Sequence, residues 1–302
     1  MKPPDWKIGL VLLIAVFAIS TSAIFSRLAF AAAGVQDVGF SLVLAASRLT
    51  LAALLLLPTW SKFQPNQLGP GALRYAIAAG SFLALHFATW ITSLAYTSIA
   101  ASTTLVTTNP VWVTLLTWIW FHEKPTKLTL IGTGIALTGG FLIGLGDAGG
   151  KSGGSNPLLG DLLALIGAWT ASLYLLLGRE AQRRGISIGT YAAIAYSMAA
   201  IILLPLPFLF HSGYTGFPAA VYLYILLTAL FPQLIGHTSF NWAVRWISPV
   251  LVTLVLLFEP IGASLLGYVV FKELPGLLVI AGAVVLLTGV AIAALGSRAT
   301  AQ

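Results

Sequence analysis

A stretch of the chain is repeated 150 positions later, and this repeat limits the fold more than any other feature of the sequence. Displacing residues 94–146 onto 244–296 superimposes prolines, glycines and an acidic residue in one register. These residues have backbone reasons to occupy fixed positions, so their agreement is more informative than matches among leucines. The aligned pairs are Asn109-Pro110 with Glu259-Pro260, Glu123-Lys124-Pro125 with Glu273-Leu274-Pro275, Gly132 with Gly282, and Leu137-Thr138-Gly139 with Leu287-Thr288-Gly289. The chain is predicted to contain two copies of one structural unit.

The composition assigns the chain to the membrane. Of its 302 residues, 58% are hydrophobic and 8% are charged, whereas soluble domains are about 25% charged. Apolar runs of about 20 residues match the hydrocarbon thickness of a bilayer, and continuous rather than alternating runs favour helices over a barrel. Ten such segments are predicted, at residues 8–29, 36–58, 71–94, 98–120, 127–146, 158–179, 187–210, 218–242, 247–271 and 276–296. We therefore predict an all-α integral membrane protein with ten transmembrane helices.

The number of spans in each copy determines how the copies are related. Residues 1–147 form the first five-helix repeat, residues 148–157 a glycine-rich linker, and residues 158–302 the second repeat, all within a single transmembrane domain at 1–302. Because five is odd, the second copy must enter the membrane upside down. The opening spans align weakly, with a displacement of 152 that places Ser20 on Ser172. Inverted repeats enclose a central cavity near the membrane midplane, where their ligand site is expected.

The basic residues predict the orientation. Eleven Lys and Arg residues lie on the side of both termini, against three on the other side, so both termini are expected in the cytoplasm. The net charge of +7 is assigned to topology and anionic lipids, and no nucleic-acid partner is expected. The first segment, MKPPDWK, leads directly into a span that we expect to be retained. The absence of cysteine excludes disulfides and thiolate metal sites, and neither a metal nor another cofactor is expected.

Asn109 and Glu259 stand at the midpoints of the fourth and ninth spans. Each precedes a proline, and a proline inside a span releases a backbone acceptor, so Pro110 and Pro260 are predicted hinges. Glu259 is the only carboxylate deep in a predicted span, where a charge costs about 2.5–3.5 kcal/mol. Three interpretations stay open for its carboxyl: a counter-charge for a substrate amine, a proton carrier, or a structural hydrogen bond between helices.

Polar residues on the third and eighth spans are the next candidates for the cavity. His86 and Trp90 share one helical face in span three, and Gln233, His237 and Asn241 recur at steps of four in span eight. Such side chains avoid lipid. The alternative to a ligand site is hydrogen bonding between helices, with Trp90 as an anchor at the membrane interface.

Aromatic residues complete the candidate substrate-binding set. Trp169 and Tyr174 lie midway along span six, too deep for the interfacial belt, and Trp112 adds aromatic surface in span four. Packing is the alternative for each. Arg48 in span two is expected to extend its guanidinium towards the cytoplasmic face, and contact with an anionic substrate is the less favoured interpretation.

The fifth and tenth spans are rich in glycine and almost free of polar side chains. Small residues let helices approach closely. These spans are predicted to form a scaffold or a contact with a second copy of the chain, so a homodimer is a candidate assembly.

At these motifs the chain resembles the drug/metabolite transporter superfamily, of the ten-span EamA type. The residues that carry the resemblance are NPVWVTLLTWIWFHEKP at 109–125, EPIGASLLGYVVFKELP at 259–275, and AGAVVLLTG at 281–289. Among its members, the chain is most similar to the YddG-like aromatic amino acid exporters. The resemblance implies a basket of helices around a cavity, with spans five and ten at the periphery, in a bacterial inner membrane. It favours His86 and Trp169 over Asn109 and Glu259 as cavity residues.

The expected function is export of amino acids, including aromatic and other neutral ones, and related metabolites by alternating access. The expected partners are a small-molecule substrate and the lipid bilayer. Export of drug-like cations is the alternative within the fold, whereas a nucleotide-sugar carrier would need several basic cavity residues. An intramembrane enzyme is disfavoured because the sequence contains no H-E-x-x-H, no G-x-S-x-G and no paired membrane aspartates. A sensor or assembly subunit is disfavoured because no soluble domain is predicted.

Overall fold

The computed structural model describes residues 3–62, 68–121, 125–148, 155–247 and 249–298. Within these ranges the chain is helical and contains no strand. Seven helical segments are long and apolar enough to cross a membrane, and shorter apolar helices accompany them. The prediction of an all-α membrane protein is confirmed.

Each half supplies five spans, and some spans consist of more than one helix. The first half comprises α1 (Asp5–Ala33), α2 (Val38–Leu55), a 3-10 turn (Leu57–Lys62), α3 (Ala72–Tyr96), α4 (Ile99–Val106), α5 (Asn109–Phe121) and α6 (Lys127–Ala148). The second half comprises α7 (Pro157–Arg183), α8 (Ile188–Leu203), α9 (Leu206–Leu209), α10 (Ala219–Thr228), a π-helical segment (Ala229–His237), α11 (Thr238–Ala243), α12 (Pro249–Leu256), α13 (Glu259–Phe271) and α14 (Leu277–Arg298). Much of the predicted linker, residues 149–154, lies outside the described residues, as do His122, Glu123, Lys124, Lys2 and Lys151.

The ends of several helices meet on one face of the bundle, which we call the distal face. The Arg27 guanidinium, near the end of α1, lies 3.8 Å from the Glu273 carboxylate and donates to the Thr97 carbonyl. Glu273 also accepts from the Ile99 N–H at 2.7 Å, and the Thr97 hydroxyl donates to Asp161, near the start of α7, at 3.0 Å. Because α1 ends where α7 begins, the opening helices of the two halves run in opposite directions. This is the geometry of an inverted repeat.

The glycines of α6 and α14 show how these two helices run relative to each other, and so how the two halves are related by symmetry. A Cβ on Gly132 would lie 2.2 Å from the Ala293 nitrogen, and one on Gly139 would lie 2.3 Å from the Leu286 nitrogen. Further along, Gly296 lies against Thr129 in the same way. Partner numbers fall as α6 numbers rise, so the two helices are antiparallel. A two-fold axis that exchanges antiparallel helices is perpendicular to both, which places it in the membrane plane.

The α6–α14 contact also decides how the small residues of these spans are used. Backbone approaches this close are accessible only to residues without a Cβ. The predicted scaffold therefore forms within one chain, and the glycine face is already covered by the other half.

Candidate functional site

The fourth and ninth spans are each interrupted at mid-membrane, and the site begins at these interruptions. In the fourth span α4 ends at Val106 and α5 starts at Asn109; in the ninth, α12 ends at Leu256 and α13 starts at Glu259. The sequence predicted kinks here, and the structure shows complete breaks. Each proline takes the second position of the new helix, where its missing N–H would be without an intrahelical partner in any case.

A small cavity lies between the two breaks and receives equivalent positions from both halves. We call two residues repeat mates when they are related by the displacement of 150, or of 152 in the opening helices. The mates on the cavity wall are Ile19 and Ala171, Trp90 and Phe240, Val106 and Leu256, and Asn109 and Glu259. The cavity therefore follows the inverted repeat in its backbone but differs between halves in its side chains.

Helix α3 contributes one aromatic wall. The Trp90 ring is stacked on His86, with ring centroids 6.0 Å apart and planes parallel within 1°. The His86 Nδ1 lies 3.0 Å from the Gly167 carbonyl of α7, which fixes the ring across the boundary between halves. A carbonyl partner makes Nδ1 the protonated nitrogen of the neutral ring, so Nε2 is the acceptor.

The opposite wall belongs to the second half. The Asn241 amide donates to the Tyr174 hydroxyl and, at 2.8 Å, to the His237 carbonyl. Its Oδ1 is buried and makes no hydrogen bond with any described residue. The His237 ring lies 6.1 Å from His86, centroid to centroid. An acceptor oxygen is thereby left without a donor beside two imidazoles.

Each break is approached by a serine on the opening helix of the other half. The Ser172 hydroxyl lies 3.4 Å from the Asn109 carbonyl and the Ser20 hydroxyl 3.5 Å from the Glu259 carbonyl, while each also has a nearer acceptor four residues back in its own helix, at 2.9 and 2.8 Å. Asn109 Oδ1 is buried without a hydrogen-bond partner in the described chain. Glu259 is 5% exposed and stands in the first turn of α13, where the helix dipole favours a carboxylate. These oxygens make the break region rich in acceptors.

The cavity is smaller than a metabolite. Its volume is about 50 Å³, whereas ligand pockets occupy about 300–1,000 Å³. The helices that line the cavity must therefore separate before it can hold a substrate.

Two predicted cavity tryptophans lie elsewhere. Trp169 is 41% exposed on the outside of the bundle. It precedes Tyr174 by five residues, which is about 140° around the helix, so the two side chains cannot share a face. Its repeat mate Phe17 is also on the outside, at 69% exposure. Trp112 donates to the Thr108 hydroxyl at 3.0 Å and lines a separate, largely apolar groove.

Gln233 also departs from the predicted stripe. It is fully buried but absent from the cavity wall, while His237 and Asn241 line it. The segment that carries Gln233 is π-helical, with hydrogen bonds between residues five apart. The Gln233 side chain is bonded to Arg48 of another span, one turn before His237 and beside the cavity rather than on its wall. Pro232 lies inside this segment and supplies no N–H, which disfavours regular α-helical bonding.

Arg48 is the polar residue whose position the sequence analysis missed. Its side chain is 0% exposed and does not extend to the membrane surface. The Nε donates to Gln233 Oε1 at 2.9 Å, and Nη1 donates to Ser22 Oγ at 2.7 Å. The guanidinium carbon lies 4.2 Å from the centre of the Phe87 ring. The missing signal was Gln233 itself, because a buried amide on another span is a partner for a buried guanidinium.

Comparison with known proteins identifies the chain. The model of the EamA-like transporter family matches residues 6–145 and again residues 158–295. A solved structure described only as "Crystal structure of protein" is 18% identical, covers 97% of this chain and 98% of its own, and superposes with a TM-score of 0.64, which concerns the fold alone. No curated protein matches the sequence. Since the family match spans both halves, the chain belongs to the EamA-like transporter family and is a membrane transporter of small metabolites.

Proposed function

We propose that this transporter exports amino acids, including aromatic and other neutral ones, together with related metabolites. The observation that carries the proposal is the small cavity between the two helix breaks, where aromatic walls meet acceptor oxygens that have no partner among the described residues. Trp90, Tyr174 and Phe240 supply apolar surface for a side chain. The Oδ1 atoms of Asn109 and Asn241 have no partner among described residues and suit an ammonium group.

The carboxyl of Glu259 adds charge to this acceptor group. It is the one acidic side chain on the wall of this cavity. As a carboxylate it attracts a primary ammonium more strongly than an amide does, because charge-assisted hydrogen bonds are about twice as strong as neutral ones. Asn109, Asn241 and Glu259 all line this cavity, and we propose that their oxygens accept the N–H groups of one ammonium.

Transport follows from the broken spans. The breaks before Pro110 and Pro260 lack continuous helical hydrogen bonding, so the half-helices on either side can tilt separately. We propose that the cavity opens alternately to either side as they tilt, with the substrate bound between the halves. The protein would reside in the inner membrane of a bacterium with both termini in the cytoplasm, and its division into residues 1–147, 148–157 and 158–302 belongs to the same proposal.

The test is uptake into proteoliposomes. Labelled phenylalanine and threonine are expected to exchange faster in vesicles that contain the purified chain than in protein-free vesicles. Replacement of Glu259 by Gln serves as the matched variant and is expected to slow exchange of both compounds. Equal rates with and without protein, over a broad amino acid panel, would reject amino acid export.

The second candidate is export of drug-like cations, favoured by the acidic Glu259 in an aromatic cavity. Cations that lack a carboxylate distinguish the two functions. An exporter of drug-like cations would transport them at least as fast as amino acids.

A further inference from the structure

Arg48 and Gln233 form a pair with two unused donors. The pair is joined by one hydrogen bond, yet Arg48 Nη2 and Gln233 Nε2 are both buried and have no acceptor in the described parts of the protein. Buried donors without acceptors are rare in native proteins. Two neighbouring ones suggest that a ligand supplies the missing oxygens.

No carboxylate neutralises this arginine. Among the described residues, none lies within ion-pair distance of its guanidinium, and Glu259 interacts with it electrostatically without a direct contact. A charge held deep in a membrane protein without an ion partner marks a functional site more often than a structural one.

The pair lies next to the cavity, on the side of the distal face. Ser22, which anchors Arg48, is one turn beyond Ile19 on α1, and Gln233 is one turn before His237. Phe87 separates the two regions: its ring lies against Arg48 on one side and 5.2 Å from the His237 ring on the other. If the cavity were wider on the side of Phe87, Arg48 Nη2 and Gln233 Nε2 would line it.

We propose that Arg48 and Gln233 bind the carboxylate of the transported substrate. A carboxylate has two oxygens, and a guanidinium binds such a group in a fixed geometry. The acceptors at Asn109, Asn241 and Glu259 hold the ammonium end. This inference rests on the proposed function and specifies it: the substrate carries an anionic head that the second set of donors recognises.

The carboxylate site has no counterpart in the other half. The repeat mate of Arg48 is Met198, and that of Gln233 is Leu83. An inverted repeat with two such sites would accept a substrate in two opposite orientations. With one site, the carboxylate always points towards the distal face.

The test replaces Gln233 by Glu. This variant gives Arg48 an internal carboxylate, so it keeps the arginine anchored while occupying the donors meant for the ligand. Exchange of labelled phenylalanine is expected to fall about tenfold or more, since a charge-assisted hydrogen bond is lost. Exchange of phenylalaninamide, which retains the ring and ammonium but lacks the carboxylate, should stay within about twofold. Gln233→Leu, which removes a donor without adding charge, replaces the first variant if that one does not fold.

A binding measurement separates this inference from the proposed function. The purified wild-type chain in detergent is expected to gain thermal stability from 3-phenylpropanoate, which has the carboxylate without the ammonium, and Gln233→Glu is expected to lose that gain. Absence of stabilisation in the wild type, or equal stabilisation of both, overturns the carboxylate site. The carboxylate site is also overturned if Gln233→Glu lowers the exchange rates of phenylalanine and phenylalaninamide equally, or lowers neither. If the wild type binds 3-phenylpropanoate but exchanges no amino acid, the proposed function fails while the carboxylate site stands.

Discussion

The two halves present the same backbone to the cavity and fill it with different chemistry. Val106 and Leu256 end equivalent helices, and Asn109 and Glu259 begin the next ones. In the proposed alternating-access cycle, backbone equivalence would let the two halves exchange roles. The side chains are under no such requirement if the substrate is the proposed amino acid, whose two ends differ. The comparison teaches that a symmetric backbone can carry an asymmetric binding site.

The same contrast appears at the ends of the opening helices. Arg27 is held by Glu273 and the Thr97 carbonyl at the distal face. Its repeat mate Arg179 takes part in no ion pair or hydrogen bond within the described residues, and Glu123, the mate of Glu273, lies outside them. The ion pair at the distal face therefore has no described counterpart at the opposite end of the bundle.

The largest expected effect comes from a substitution that forces apart α6 and α14, the two helices exchanged by the two-fold axis. Gly139→Ala places a Cβ 2.3 Å from backbone of α14. Overpacking of this kind costs about 1–3 kcal/mol of unfolding free energy. Gly134→Ala on the same helix meets nothing within 4 Å and is expected to be neutral or slightly stabilising. Thermal unfolding in detergent compares the two variants. Equal melting temperatures would contradict the close backbone contact between α6 and α14.

The next effect sharpens the difference between Asn109 and Glu259. Glu259→Gln makes the two breaks alike and is expected to lower phenylalanine exchange about tenfold, the loss of one charge-assisted contact. Asn109→Ala removes a neutral acceptor and should lower exchange by less than about fivefold. Initial rates in proteoliposomes decide the order. If Asn109→Ala had the greater effect, the ammonium site would belong to the first half.

A smaller effect separates the cavity tryptophan from the external one. Trp90→Leu removes an aromatic wall that is 3% exposed and should slow exchange several-fold. Trp169→Leu changes a side chain on the outside of the bundle and should leave the rate within about 1.5-fold, since surface substitutions have small effects. Equal slowing by both variants, at equal amounts of folded protein, would place Trp169 in the transport path.

The smallest effect tests the equivalence of the serine contacts. Ser20→Ala and Ser172→Ala each remove a hydroxyl that lies 3.5 and 3.4 Å from a carbonyl of the other half and that also donates within its own helix, at 2.8 and 2.9 Å. Each is expected to lower the unfolding free energy by less than about 1 kcal/mol, and by similar amounts. Chemical denaturation measures both. A clear difference between them would show that the two halves are not held together symmetrically.

Much of the fold could be predicted from sequence, because spans have a required length and their ends fall at charge, Gly or Pro. All ten predicted segments correspond to observed helices or to runs of two or three helical elements. The breaks at Asn109 and Glu259 exceeded the predicted kinks, since a proline marks a lost hydrogen bond without indicating how far the helix will separate.

The site was less predictable because it depends on rotation between helices. Regular periodicity placed His86 and Trp90 on one face, as found. Gln233 lies beside that cavity because its side chain is bonded to Arg48, and a contact with another span cannot be read from the periodicity of one helix. Trp169 could have been placed from its offset of about 140° to Tyr174, which puts the two side chains on nearly opposite faces of the helix. The role of Arg48 required knowledge of which helices lie beside α2.

The glycine contact between α6 and α14 has a mechanical consequence. Two helices whose backbones already touch cannot move closer, and separating them would expose a bare peptide face that few side chains could cover. In the proposed transport cycle we therefore expect this helix pair to stay together as a fixed axis, about which the other helices of the two halves rotate.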